Sequence, residues 1–86
     1  MTKIWAKTML EQKITRSYVL SETDKFSTAY FFAYLSAICH ELDIPTPVIL
    51  KTHANHFEQF NIVRFKATDF VESIDFEMLV LENASE

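Results

Sequence analysis

His53 and His56 are the side chains in this sequence best placed to do chemistry. They lie three positions apart, and residues at that spacing share one face of a helix. Two neutral imidazoles side by side can hold a transition metal ion, zinc first among them. Zinc takes about four ligands, usually from more than one element. Cys39 and His40 are the other soft donors, but adjacent helical residues diverge by ~100°, so one ion does not take both. The overall spacing matches no strong zinc pattern. The competing reading is that both histidines edge the core and bond carbonyls or water, an ordinary place for this residue type.

Cys39 is the only cysteine. As a nucleophile it would need a base and an electropositive pocket. Instead it shares an apolar stripe with Leu35, Ile38 and Leu42, where a thiol is buried and inert. Glu41 with Asp43, and Asp75 with Glu77, are paired carboxylates. General acid–base work needs such pairs across a cleft with separated pKa values. Nothing in the sequence implies a cleft, and both pairs read as solvated charges at element ends. Glycine is absent, so phosphate-cradling loops and dinucleotide fingerprints are excluded. The sequence therefore leans away from an enzyme. Turns that need positive φ must be made by Asn, Asp or similar residues.

The elements that would carry these residues follow from periodicity. Residues 3–10 and 14–20 alternate as strands, separated by the polar break Glu11-Gln12-Lys13, which predicts an antiparallel hairpin. Ser21-Glu22-Thr23-Asp24 reads as a helix start, and Asp43-Ile44-Pro45 as its stop near Leu42. Phe31, Phe32, Leu35, Ile38, Cys39 and Leu42 form one stripe on that helix. Phe26, Tyr30, Ala33 and Ala37 form a second, nearly opposite. A helix apolar on two sides is sandwiched or meets another subunit. Thr46-Pro47 predicts a second helix, with Thr as cap and Pro in the first position, reaching about Phe60. Strands are expected over Ile62–Lys66 and from about Phe76 to Leu81, with a capped turn at Thr68–Glu72 between them. The order is ββααββ. It predicts an α+β fold, an antiparallel sheet with two helices packed on one face. One four-stranded sheet, two separate hairpins and parallel pairing of the outer segments all remain compatible with it.

Length and composition set the class. The chain has 86 residues, enough for one domain over residues 1–86 and too few for two. Eight phenylalanines and an apolar share of 49% exclude disorder. The formal net charge is −4, and Lys and Arg are scattered along the sequence, so no nucleic-acid footprint is visible. No apolar run approaches the ~20 residues of a membrane-spanning helix, and a signal-peptide pattern is missing. The single thiol and these absences point to the cytoplasm.

The run Cys39-His40-Glu41-Leu42-Asp43-Ile44-Pro45-Thr46-Pro47 continues through His53, His56 and Phe57 to Asn61. With Arg64-Phe65, Asp69-Phe70-Val71-Glu72 and Ile74-Asp75-Phe76, it resembles a family of short uncharacterised proteins from Gram-positive bacteria. The likeness is strong over roughly the C-terminal half and weaker at Ile4-Trp5-Ala6-Lys7. It implies a bacterial, cytoplasmic setting and no particular chemistry.

The leading expectation is a small non-enzymatic protein-interaction module that self-associates as a homo-oligomer, through the first helix or a sheet edge. Its candidate contact residues are Trp5, Phe26, Tyr30, Ala33 and Ala37. Trp is enriched at interface hot spots, and small residues beside aromatics let helices approach closely. The alternatives are a protein holding zinc or another transition metal through His53 and His56, and an acidic regulatory partner of a basic protein.

Overall fold

The first two strands are long because their sequences alternate without a break. A computed structural model describes residues 1–85. Strand β1 spans Thr2–Leu10 and pairs antiparallel with β2, Lys13–Glu22. The hairpin closes on Glu11 and Gln12, both at positive φ (51° and 66°). That geometry belongs to the tight hairpin turn that normally uses Asn-Gly. The chain recurs to this solution twice more: Asp43 (φ 56°) ends the first helix and Asn61 (φ 62°) the second. A glycine-free sequence thus makes its left-handed residues from polar side chains, as expected.

Helix α1 spans Phe31–Leu42, behind a 3-10 turn at Thr28–Tyr30 capped by the Ser27 hydroxyl. It starts well after the expected Ser21–Asp24. Strand pairing holds the chain extended as far as Glu22 opposite Thr2. The Thr2 hydroxyl then donates to the Asp24 carbonyl at 2.8 Å. Phe26 falls in the irregular segment that follows and packs on Tyr34 and Phe57, with ring centroids 5.7 and 5.3 Å away.

Helix α2 spans Lys51–Phe60, one turn later than the Thr46-Pro47 signal. Pro47 is buried in a connector that forms neither helix nor strand, and the next amide, Val48 N–H, donates to the Asp69 carbonyl at 2.8 Å. The connector is pinned before it can coil. The helix is instead started by a histidine: the Leu50 N–H donates to His53 Nδ1 at 2.9 Å. Strand β3 spans Ile62–Lys66 and β4 spans Met78–Asn83. Phe76, expected to open the last strand, lies ahead of it and meets Phe70 edge to face at 5.4 Å.

All four strands form one antiparallel sheet in the order β2-β1-β4-β3. The fold is α+β with element order ββααββ, and both helices pack on the same face. The pleat sends Ile4, Ala6, Thr8, Leu79, Leu81, Val63 and Phe65 to that face, all at most 3% exposed. They meet Phe31, Leu35, Ile38 and Phe57 from the helices. No helix among the described residues is long and apolar enough to cross a membrane.

Candidate functional site

The two histidines come together but are already employed. Nδ1 of His53 accepts the helix-starting hydrogen bond, and its ring lies 4.5 Å from that of Phe65. His56 is exposed and stacks on Phe60 at 4.7 Å. Both line a shallow hollow with Arg64, a cation where a metal site would want an anion. Among the described residues no group of three or more metal-ligating side chains occurs.

Cys39 is 1% exposed. Burial pushes its thiol up to about 11, against a smaller opposing hydrogen bond with Thr46. The thiolate that nucleophilic chemistry needs is therefore scarce near neutrality. Asp75 pairs with Arg16 through both carboxylate oxygens at 3.0 and 3.1 Å, which lowers its pKa. Glu77 accepts the Glu11 amide at 2.6 Å and so holds the hairpin turn. These carboxylates organise the structure around the β1–β2 turn.

The expected contact residues divide into three groups. Phe26 is half-buried in the core. Tyr30 (61% exposed), in the turn that leads into α1, and Ala33 and Ala37 on the helix itself lie on the outer surface. Tyr30 and Ala33 line a hollow of about 240 Å³ with Tyr34, Glu22 and Asp24. The outer strip of α1 therefore overlooks the end of β2, which is an edge of the sheet. Trp5 sits elsewhere, on the sheet face opposite the helices.

That second face is not covered by any described element. Its layout follows from the register. Trp5 lies between Val19 and Glu82, and Glu82 faces Ile62. In the next row Lys7 lies between Ser17 and Val80, and Val80 faces Arg64. In the third, Met9 lies between Ile14 and Met78, and Met78 faces Lys66. Lys7 Nζ sits 4.0 Å from the centre of the Trp5 ring and 2.9 Å from Glu82 Oε1. Val80, between Lys7 and Arg64, is only 5% exposed; long cationic side chains lay their apolar stems over such positions. Here lies a hollow of about 600 Å³, lined by Met9, Met78 and Val80, by Lys7 and Arg64, and by the carboxylates Glu11, Glu77 and Glu82.

The chain matches no family model, and no curated protein or solved structure matches it either. The site must be argued from its own residues. Lys7 shares a strand face with Trp5 and Met9 by alternation alone, whereas Val19, Arg64 and Glu82 are not singled out by the sequence. The signal that finds them is the period of two: odd residues of β1 share a face, and so do the even residues of β3 and β4.

Proposed function

We propose that this chain is a small non-enzymatic protein-interaction module that self-associates through the flank formed by the β2 edge and the outer strip of α1. The observation that carries this reading is the symmetry of the β2 edge. Backbone groups of Lys3 bond to Ser85 and Ala84, and the Met9 carbonyl accepts from Glu77. The odd residues of β1 thus turn their amides and carbonyls toward β4, the even ones toward β2. By the antiparallel rule, Ser17, Val19 and Ser21 of β2 point theirs outward, away from β1.

The outward stretch reads Ser17-Tyr18-Val19-Leu20-Ser21. It has no charge and no proline, the devices that normally blunt an edge strand. A two-fold axis through Val19 sets Ser17 against Ser21 and Tyr18 against Leu20 of the second copy. Arg16 then falls opposite Glu22, an oppositely charged pair. Such a contact is isologous and closed, and it joins two four-stranded sheets into one. Tyr30, Ala33 and Ala37 lie above the same edge, where the second α1 would approach. A homo-oligomer of this kind fits a cytoplasmic, bacterial setting.

Native mass spectrometry over a range of concentrations tests the reading. The expected result is a dimer that Val19→Lys and Val19→Pro each convert to monomer. The Val19 amide points outward, so proline there leaves the β1–β2 ladder intact. A monomer at every concentration overturns self-association, and a dimer indifferent to both substitutions overturns the edge.

A further inference from the structure

The hollow between the end of β2 and the start of α1 is small and is lined by no cation. Glu22, Asp24, Tyr30, Ala33 and Tyr34 surround about 240 Å³. Cofactor pockets usually hold roughly 300–1,000 Å³, so this one suits a single side chain. Neither carboxylate forms an ion pair among the described residues, and neither does Lys25, the residue after Asp24. Tyr34 adds an independent sign. It is 7% exposed, and its hydroxyl has no hydrogen-bond partner among the described residues. No side-chain oxygen without a partner is shut off from the surface in a residue so buried. The hydroxyl is therefore the part of Tyr34 that opens into the hollow. A buried ring that presents its one polar atom unpaired is set for a polar group from outside.

The lining is in place before anything enters it. Thr2, itself 1% exposed, faces Glu22 across the β1–β2 ladder and donates to the Asp24 carbonyl at 2.8 Å. One buried residue thus positions both carboxylate-bearing residues. The Tyr34 ring rests on Phe26, and Tyr30 closes the 3-10 turn that Ser27 caps.

We infer that this hollow is an arginine socket, and that the guanidinium it takes belongs to Arg16 of a second copy of the chain. The inference rests on the self-association proposed above and names the contact that locks it. Arg16 and Glu22 lie opposite Thr8 and Thr2, both buried on the helix-covered side of the sheet. Cross-strand partners share a face, so Arg16 and Glu22 stand on that side too. The two-fold axis through Val19 sets Arg16 of one copy against Glu22 of the other. By the antiparallel alternation, this pair is one not joined by backbone hydrogen bonds, the kind whose side chains stand closer.

The chemistry favours guanidinium over ammonium. Guanidinium offers five donors in one plane, stacks on aromatic rings and sheds water more readily. Glu22, Asp24 and the Tyr34 hydroxyl supply acceptors, and Tyr30, largely exposed, supplies a ring. Within its own copy Arg16 pairs with Asp75. Both partners are exposed there, and exposed pairs contribute little. Association exchanges that single carboxylate for two carboxylates and a hydroxyl, twice per dimer.

Dimer dissociation constants from sedimentation equilibrium test the socket on the full chain. Arg16→Gln should weaken the dimer at least ten-fold and Tyr34→Phe several-fold, with circular dichroism spectra unchanged. Arg16→Lys should recover only part of the loss. The double variant Arg16→Gln with Tyr34→Phe should be no weaker than Arg16→Gln alone, because both remove the same contact. Asp75→Asn, which releases Arg16 within its own copy, should tighten the dimer. Losses that simply add, or a dimer weakened by Asp75→Asn, overturn the socket. A dimer that Val19→Pro abolishes but Arg16→Gln and Tyr34→Phe leave unchanged also overturns it, while the edge stands. A monomer at every concentration overturns both.

Discussion

The two faces of the sheet are built by the same four strands and differ in almost everything else. The closed face is a continuous apolar floor in which Ile4, Ala6, Phe65, Leu79 and Leu81 are fully buried. Its two buried polar side chains are both satisfied: Thr2 on the Asp24 carbonyl, Thr8 on Thr15 at 2.6 Å. The open face mixes indole, thioether and cations, and one ion pair crosses it. A single alternation of residues therefore encodes two jobs. One parity holds the fold together, and the other is free to meet something outside it. Antiparallel sheets allow this because they need cover on only one side.

Truncation is the most severe way to break the comparison. Phe57→Ala removes a ring that is 1% exposed and touches both Phe26 and Phe31. It should cost about 3–5 kcal/mol, a large part of what a domain of this size has in reserve. Trp5→Ala on the open face should cost only about 1 kcal/mol. Urea denaturation followed by circular dichroism measures both. Equal losses would mean that the open face is structural after all.

Alkali probes the closed side through Cys39. Its folded pKa of about 11 lies above the ordinary 9.0. Below pH 9 both folded and unfolded thiols are protonated. Between pH 9 and about 11 only the unfolded chain releases its proton, so stability falls as pH rises. The loss attributable to this thiol is about 2–3 kcal/mol, read as the difference between the parent and Cys39→Ala in denaturant midpoints across that range. Parallel pH profiles for the two chains would show that the thiol is hydrated in the folded state.

The hairpin turn that joins β1 to β2 offers the smallest effect and the only gain. Glu11 and Gln12 occupy left-handed backbone, which disfavours residues with a Cβ by roughly 1–2 kcal/mol each. Replacing them with Asn-Gly should raise stability by about 1 kcal/mol in the same urea assay. The lost Glu11 side chain carries no bond, because it is the Glu11 amide that binds Glu77. No gain would mean that the turn is already relaxed by that contact.

Much of this was legible in the linear pattern. The strand alternation over residues 3–10 placed β1 and its two faces, and Phe31, Leu35, Ile38, Cys39 and Leu42 of the expected α1 stripe became core, whereas Phe32 of that stripe is exposed. Errors gathered where tertiary contacts override local signals. Ser21–Asp24 is a good helix start that strand pairing and the Thr2–Asp24 bond keep extended. Thr46-Pro47 is a good cap, but the Val48–Asp69 bond ties the following amide to another segment. His53, read as a possible metal ligand, is the N-terminal hydrogen-bond acceptor of α2. The make-up of the open face was hidden for a different reason. Lys3, Lys7, Arg64 and Lys66 sit at opposite ends of the sequence, and only the β1–β4 pairing brings them onto one surface.

That pairing also sets an order of events in time. Lys7 and Glu82 are 75 positions apart, and β1 and β4 lie side by side in the middle of the sheet. While the chain is being made, the β1–β2 hairpin must wait with one edge bare until β4 has emerged. Contacts so distant along the chain slow folding. The hairpin is thus a ready acceptor for any extended strand that arrives first, including one from a neighbouring nascent chain.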